Sequence, residues 1–155
     1  MVAWNSLSIF EGKRKSMGFI RADIEIANAF DMGLARRGQL DKEAIRKQEV
    51  NILVDTGAYS LCINENLATQ LGLMMTGKQT FELADGEIKT FPVSEPVELR
   101  FKNRTTACRA VVLPGNTGMI LGCIPLEDMD VVLDPLKESM DLPKDRPYVA
   151  MKILK

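Results

Sequence analysis

One stretch decides how this chain of 155 residues is interpreted: VNILVDTGA, at positions 50–58. Its first five residues form an apolar run with one interruption, which predicts a buried strand. The strand runs directly into Asp55. Thr56 and Gly57 then turn the chain. Gly57 also lets backbone or ligand approach where a side chain would obstruct. A carboxylate held at the end of a rigid strand, near main-chain N–H groups, suits a catalytic acid or base.

The composition excludes several other kinds of site. The chain has no histidine, so it cannot form a Ser-His-Asp or Cys-His nucleophile arrangement, or a zinc site that needs imidazole. Its 20 basic and 21 acidic residues leave a net charge of -1, unlike the basic surface of a nucleic-acid-binding protein. The spacing of Asp128, Asp130 and Asp134 lacks the calcium-loop pattern, and we interpret them as cap and turn residues. We expect no metal, no cofactor and no nucleic-acid partner.

The cysteines and the apolar runs predict a location. Cys62, Cys108 and Cys123 form no C-x-x-C pair, and an odd number of thiols is typical of a reducing compartment. No apolar run approaches the ~20 residues that span a bilayer. Residues 1–16 lack the order of a signal peptide, because their positive charges follow the apolar part. We expect a cytoplasmic protein with no membrane contact, in which 1–16 is a flexible extension and 17–155 is a single domain.

The segments around the central stretch predict a mainly β domain. Apolar and charged residues alternate through Ile20–Ile26, which is typical of a half-buried strand. A second strand is predicted at Leu61–Ile63, and Asn64 is placed to cap a helix that ends at Gly72. Phe81–Phe91 predicts a hairpin around a two-residue Asp-Gly turn.

Further along, the pattern remains that of short strands. A second hairpin is predicted over 93–113, a buried strand over Met119–Gly122, a helical turn over Leu126–Met129 and a strand over 131–133. Pro147–Leu154 alternates weakly and is predicted as a strand. We interpret Asn28–Glu49 as a solvated insertion between strands, with a short helix capped by Asp41 as the alternative.

Asp55 has no partner in its own loop. No other acidic residue and no histidine is nearby in sequence. A second acid must therefore come from elsewhere in the chain or from a second copy, and a twofold dimer would bring Asp55 to its symmetry mate. Two carboxylates that close share one proton, so that one activates water while the other protonates a carbonyl oxygen.

These residues resemble a known family. Residues 54–58 are similar to the active-site signature of the retropepsin-like aspartic proteases of clan AA, and Ile120-Leu121-Gly122 resembles the second signature, which lies beside the catalytic loop. The 81–91 hairpin falls where the family has its flap, and Asn64–Gly72 matches the helix that follows the active-site loop. The resemblance covers roughly Phe19 to Pro135. The pattern over 120–130 is more similar to bacterial single-domain members than to viral ones.

The resemblance implies a mainly β, closed-barrel acid-protease fold with one or two short helices and one lobe per chain. It also implies a homodimeric endopeptidase that acts on a peptide or protein substrate. Asp55 would be the catalytic carboxylate, Thr56 would hydrogen-bond across the dimer, and Gly57 would give backbone contact near the carboxylate. The implied substrate-binding residues are Ala58 in the cleft and the flap tip Ala84, Asp85 and Gly86.

Some positions depart from the family pattern, and two alternatives stay open. Viral members carry a polar or charged residue where this chain has Cys123, and polar residues where it has Tyr59–Leu61. The Pro147–Leu154 segment is a candidate for an intersubunit strand, as in viral members. One alternative is a non-catalytic dimer of the same fold that binds extended peptides by strand addition. The other is an unrelated small β-barrel in which the D-T-G-A string is fortuitous.

Overall fold

The computed structural model describes residues 19–83 and 85–154, so the predicted extension at 1–16 and the flap residue Ala84 lie outside the described residues. Nine strands and three α-helices are found in the described ranges. None of these helices is long and apolar enough to cross a membrane. The strands are β1 (Arg21–Asn28), β2 (Lys47–Val54), β3 (Leu61–Asn64), β4 (Met75–Glu82), β5 (Ile88–Phe101), β6 (Arg104–Leu113), β7 (Ile120–Leu121), β8 (Val132–Asp134) and β9 (Ser139–Asp141). The helices are α1 (Ala29–Arg36), α2 (Glu65–Gln70) and α3 (Cys123–Met129), with a 3-10 helix at Lys42–Ala44.

Seven strands form one sheet in the order β1-β2-β7-β3-β6-β5-β4. β1 also pairs with β5, from Glu25 opposite Arg100 to Asn28 opposite Val97, so the sheet closes on itself. β4 lies outside this ring and continues the long β5 as a hairpin arm. The mainly β fold with few helices is as predicted, with three α-helices where one or two were expected.

The core lies inside the closed sheet and follows the predicted alternation. Ile24, Ile26 and Ile52 are completely or almost completely buried, because every second residue of β1 and the end of β2 point inward. Helix α2 covers one end of this core with Leu67 and Leu71. Its cap is as predicted, since the Asn64 side chain accepts a hydrogen bond from the Leu67 N–H at 2.9 Å.

The segment predicted as a solvated insertion contains helix α1, so that interpretation is wrong. Asn28 caps the helix by accepting from the Asp31 N–H at 3.1 Å. The buried Asp31 carboxylate accepts from the Arg46 side chain at 2.9 and 3.0 Å, and this ion pair lowers the pKa of Asp31. The alternative helix at Asp41 is a 3-10 turn without a side-chain cap, and Lys47 belongs to β2.

Three further local predictions differ from the structure. The first hairpin has a three-residue connection, because Leu83 and Glu87 still pair through a main-chain hydrogen bond of 2.7 Å. Helix α3 begins at Cys123, three residues before the predicted helical turn. Pro147–Leu154 forms no strand within the chain.

Candidate active site

The Asp55 carboxylate lies at the end of β2 and is almost completely enclosed, with 3% of the residue exposed. Its main-chain N–H donates to the Leu121 carbonyl at 3.1 Å. One carboxylate oxygen, Oδ1, accepts from the Gly57 N–H at 2.9 Å. The other, Oδ2, is buried and has no hydrogen-bond partner among the described residues. A buried carboxylate oxygen without a partner is costly, so Oδ2 is suited to accept a proton or a donor from outside the chain.

The second sequence signature, Ile120-Leu121-Gly122, lies directly beside the loop that carries Asp55. β7 runs parallel to β2, with Leu53 opposite Ile120, and antiparallel to β3, with Cys62 opposite Ile120. This two-residue strand therefore lies between the strand that precedes the Asp55 loop and the strand that follows it. The structure thus brings together residues 55–58 and 120–122, as the resemblance implied.

Hydrogen bonds past β7 tie the start of α3 to the same loop. The Cys123 N–H donates to the Ala58 carbonyl at 2.8 Å, and the Ile124 N–H donates to the Tyr59 carbonyl at 3.2 Å. These bonds require the backbone at Gly122 to lie directly against the backbone of Tyr59 and Ser60. The position of Asp55 is therefore set by main-chain contacts with a second segment.

An apolar floor adjoins the carboxylate on the side of the hairpin arm. Ala58 and Ile120 are buried there together with Phe81 from β4, which is 8% exposed. The Phe81 ring lies 6.0 Å from that of Phe91, its neighbour on the other strand of the hairpin. The middle of the hairpin is therefore packed onto the floor of the site. Cys62, Val111 and Leu113 complete the buried cluster.

The hairpin tip makes only local contacts in the described chain. The Gly86 N–H donates to the Leu83 carbonyl at 2.9 Å, and Gly86 has φ +83°, a conformation that favours glycine. The Asp85 side chain accepts from the Glu87 N–H at 2.8 Å. No hydrogen bond joins Asp85 or Gly86 to Asp55. The Gly86 N–H and the Asp85 carboxylate therefore stabilise the turn itself.

The side chain of Thr56 is exposed and makes no hydrogen bond within the described residues. Thr56 borders a cavity of ≈ 890 Å³, whose other walls are α3 and the chain end around Lys152 and Ile153. No residue of β4 or β5 is among the described residues that line this cavity.

Two of the three cysteines offer no reactive thiolate. Burial raises the pKa of the Cys62 thiol to about 12 and that of Cys108 to about 11, so both are un-ionised at neutral pH. Cys123 is a free cysteine as well. No group of three or more metal-binding side chains is found in residues 19–83 and 85–154. The buried carboxylate is the feature that defines the site.

The closed β-sheet, the enclosed aspartate at the end of β2 and the adjoining strand β7 define a retropepsin-like domain. Residues 42–127, more than half of the chain, match the family described as "gag-polyprotein putative aspartyl protease". The chain belongs to this family. The matched region includes both Asp55 and Gly122. The resemblance to bacterial single-domain members stays a prediction.

The fold is also similar to that of a solved viral enzyme, the EIAV protease complexed with the inhibitor HBY-793. The two structures superpose with a TM-score of 0.52 over 77% of this chain and 96% of the EIAV chain, at 17% sequence identity. At this identity the likeness concerns the fold. A search of curated proteins gave no match.

One contributor to the site was not identified from the sequence. Phe81 was predicted only as part of a hairpin, and its place on the floor depends on how far the arm folds over. The signal for Phe81 was available: a large apolar residue in the hairpin next to the turn has to be buried somewhere.

Proposed function

We propose that the chain is an aspartic endopeptidase that acts as a homodimer, with one Asp55 from each subunit. The observation that carries this proposal is the enclosed Asp55 carboxylate, whose Oδ2 has no partner in the described chain. A twofold dimer with the two loops face to face gives each carboxylate the other as its partner. Membership of an aspartyl protease family supports peptide-bond hydrolysis as the reaction.

The proposed chemistry needs one proton shared between two carboxylates. The ionised member takes a proton from water, and the water oxygen attacks the carbonyl carbon of the peptide bond. The protonated member gives its proton to the carbonyl oxygen. The C–N bond then breaks as the leaving amine takes a proton from the carboxyl group that received one from water. A hydroxyl of the tetrahedral intermediate returns its proton to the other carboxylate, which restores the shared proton. The Gly57 N–H holds Oδ1 at 2.9 Å and so keeps the carboxylate oriented during these steps.

Two features beside Asp55 support the dimer. The exposed Thr56 hydroxyl has no partner within the described residues and is free to hydrogen-bond to the second loop. The segment 148–154 exposes large apolar side chains, including 83% of Tyr148, 84% of Ile153 and 99% of Leu154. Contiguous exposed apolar groups mark interaction surfaces. We therefore place this segment in the contact with the second subunit.

The substrate proposed for this site is an extended peptide that lies between Asp55 and the hairpin arm. An extended chain pairs with the main chain of the hairpin, and closure of the arm excludes water from the reacting bond. Activity is expected to be highest on the acidic side of neutrality and to fall when both carboxylates ionise. Activity that keeps rising into the alkaline range would contradict the shared proton.

The test compares wild type with Asp55→Asn in a peptide-cleavage assay at mildly acidic pH, with the oligomeric state measured on the same samples. Asp41→Asn is the matched control, because Asp41 is exposed and its side chain has no hydrogen bond in the described chain. Cleavage by wild type and the control, its loss in Asp55→Asn, and a dimer in all three support the proposal. Peptide binding without cleavage by wild type indicates a non-catalytic dimer instead.

A further inference from the structure

A cavity of ≈ 230 Å³ lies next to the catalytic loop, on the side of the hairpin arm. Tyr59 and Ser60, which directly follow the D-T-G-A segment, form one wall. Gln79 of β4 and Arg109 of β6 also line the cavity. Pockets that hold a whole small-molecule ligand usually exceed about 300 Å³. This cavity is therefore of a size to receive a single side chain of a longer ligand.

Arg109 is the only charged residue among the described residues that line this cavity. Its guanidinium makes no ion pair or hydrogen bond with any residue in the described ranges. Six other arginines of the described chain form side-chain hydrogen bonds: Arg21, Arg36, Arg37, Arg46, Arg104 and Arg146. Arg109 is thus an unpaired cation at the edge of the candidate substrate cleft.

The position of the guanidinium is defined by the backbone of the hairpin arm. A Cβ atom built on Gly77 would lie 3.2 Å from Nη2 of Arg109. The side chain therefore reaches from β6 across β5 to β4, and the lack of a side chain at Gly77 gives it room. The pairing of β4 with β5 is irregular at this point, between Met75 and Gly77. Arg109 consequently lies at the mouth of the cavity, where a peptide under the arm passes.

We propose that this cavity is a specificity site, in which Arg109 binds the carboxylate of an Asp or Glu side chain of the peptide substrate. The inference rests on the proposed function, because it places the peptide between Asp55 and the hairpin arm. Arginine stays protonated at all relevant pH values and presents paired N–H donors that match a carboxylate. Gln79 and Ser60 supply neutral donors beside it, and no acidic residue of the cavity wall competes for the cation.

The experiment uses peptides of one parent sequence in which Glu or Gln is placed in turn at each position around the cleaved bond. Wild type is expected to cleave the Glu peptide about two- to fivefold faster than the Gln peptide at one position, the range for an exposed ion pair. Arg109→Gln brings this ratio close to one, and Arg109→Glu brings it below one, because the introduced carboxylate repels the Glu side chain of the peptide. Arg100→Gln is the matched control, since Arg100 is an exposed arginine of the adjacent strand that does not line the cavity.

A binding measurement separates this proposal from the proposed function. The same labelled peptides are titrated against Asp55→Asn and against Asp55→Asn with Arg109→Gln, with fluorescence anisotropy as the readout. Cleavage by wild type with equal Glu and Gln rates overturns the specificity site and leaves the protease intact. A Glu preference in binding that is lost with Arg109, without any cleavage, supports the site and contradicts the protease. Binding without a Glu preference, or no binding, overturns the specificity site.

Discussion

The backbone of Gly122 lies so close to that of Ser60 that a Cβ atom on Gly122 would be 2.8 Å from the Ser60 nitrogen, a separation that real Cβ atoms essentially never show. The same Cβ atom would lie 2.8 Å from the carbonyl carbon of Tyr59. The end of β7 and the segment that follows the catalytic loop thus touch through main chain alone. This contact allows the Cys123 N–H to reach the Ala58 carbonyl, and so it sets the shape of the loop that carries Asp55.

Replacement of Gly122 by alanine is expected to displace the catalytic loop. The added methyl group meets backbone that cannot rotate away, which costs roughly 1–3 kcal/mol of stability for an overpacked position. The cleavage rate should fall by more than any loss of folded protein explains, because Asp55 shifts with the loop. Melting temperature and cleavage rate are measured together. Gly118→Ala is the control, since a Cβ there has no atom within 4 Å. Equal changes of melting temperature and cleavage rate in Gly122→Ala and Gly118→Ala would contradict the prediction.

Truncation of Phe81 is expected to loosen the hairpin arm. Its ring is buried against Ala58 and Ile120, so Phe81→Ala removes apolar contacts worth about 3 kcal/mol at a fully packed site. The opened floor should also admit larger substrate side chains next to the cleaved bond. Chemical denaturation and a set of peptides with side chains of increasing size measure the two effects. Lys78→Ala, an exposed position on the same strand, should show neither effect. An unchanged size preference with unchanged stability would show that the ring is not packed on the floor.

The contacts of Asp130 predict a pH-dependent contribution to stability. Hydrogen bonds from Arg146 at 2.6 and 2.9 Å, and then one from the Met151 N–H at 3.0 Å, hold the pKa of Asp130 well below its ordinary value of 3.8. Because the pKa is lower in the folded state, the stabilisation is full above the ordinary value and is lost as the pH falls toward the folded value. Asp130→Asn should therefore lower the melting temperature at neutral pH.

The difference in melting temperature between wild type and Asp130→Asn should shrink as the pH falls below about 4. Melting curves across the acidic range measure it. Asn also tolerates the left-handed backbone found at Asp130, with φ 54°, so the variant tests the charge and not the turn. Asp145→Asn is the control, because Asp145 contacts the same Arg146 but its side chain is 75% exposed. A difference in melting temperature that is the same at every pH would refute the assignment of this stabilisation to the Asp130 charge. Equal losses of melting temperature in Asp130→Asn and Asp145→Asn would refute it as well.

A mixing experiment tests whether two subunits share one site. Wild type is held at constant concentration while an excess of Asp55→Asn is added and subunits are allowed to exchange. Activity should fall, because most wild-type subunits then pair with a partner that lacks the carboxylate. The control adds an inert protein at the same concentration. Subunit exchange is verified with a mass tag on one form. Full activity after verified exchange would mean that each chain works alone.

Local patterns were sufficient for much of the fold. The alternation at Ile20–Ile26 predicted β1, and the Asn64 cap predicted the start of α2, because both depend on residues adjacent in the chain. Helix α1 was missed for the opposite reason. Its N-terminal end is held by Asn28, whose amide reaches the Leu71 carbonyl at 2.9 Å, and by Asp31, which pairs with Arg46. These partners are distant in sequence, so the polar composition of the segment resembled a solvated loop.

By itself, the sequence determined the reactive group and its support: a carboxylate at the end of an apolar strand, and a second apolar pair followed by glycine. Both are local patterns of residue type. Only the tertiary structure decided that Oδ2 of Asp55 has no partner in the described chain, that Phe81 covers the floor, and that Arg109 reaches Gly77. These relationships join segments that lie far apart in the chain and depend on how the β4–β5 arm folds over the loop, so no local pattern of residues encodes them.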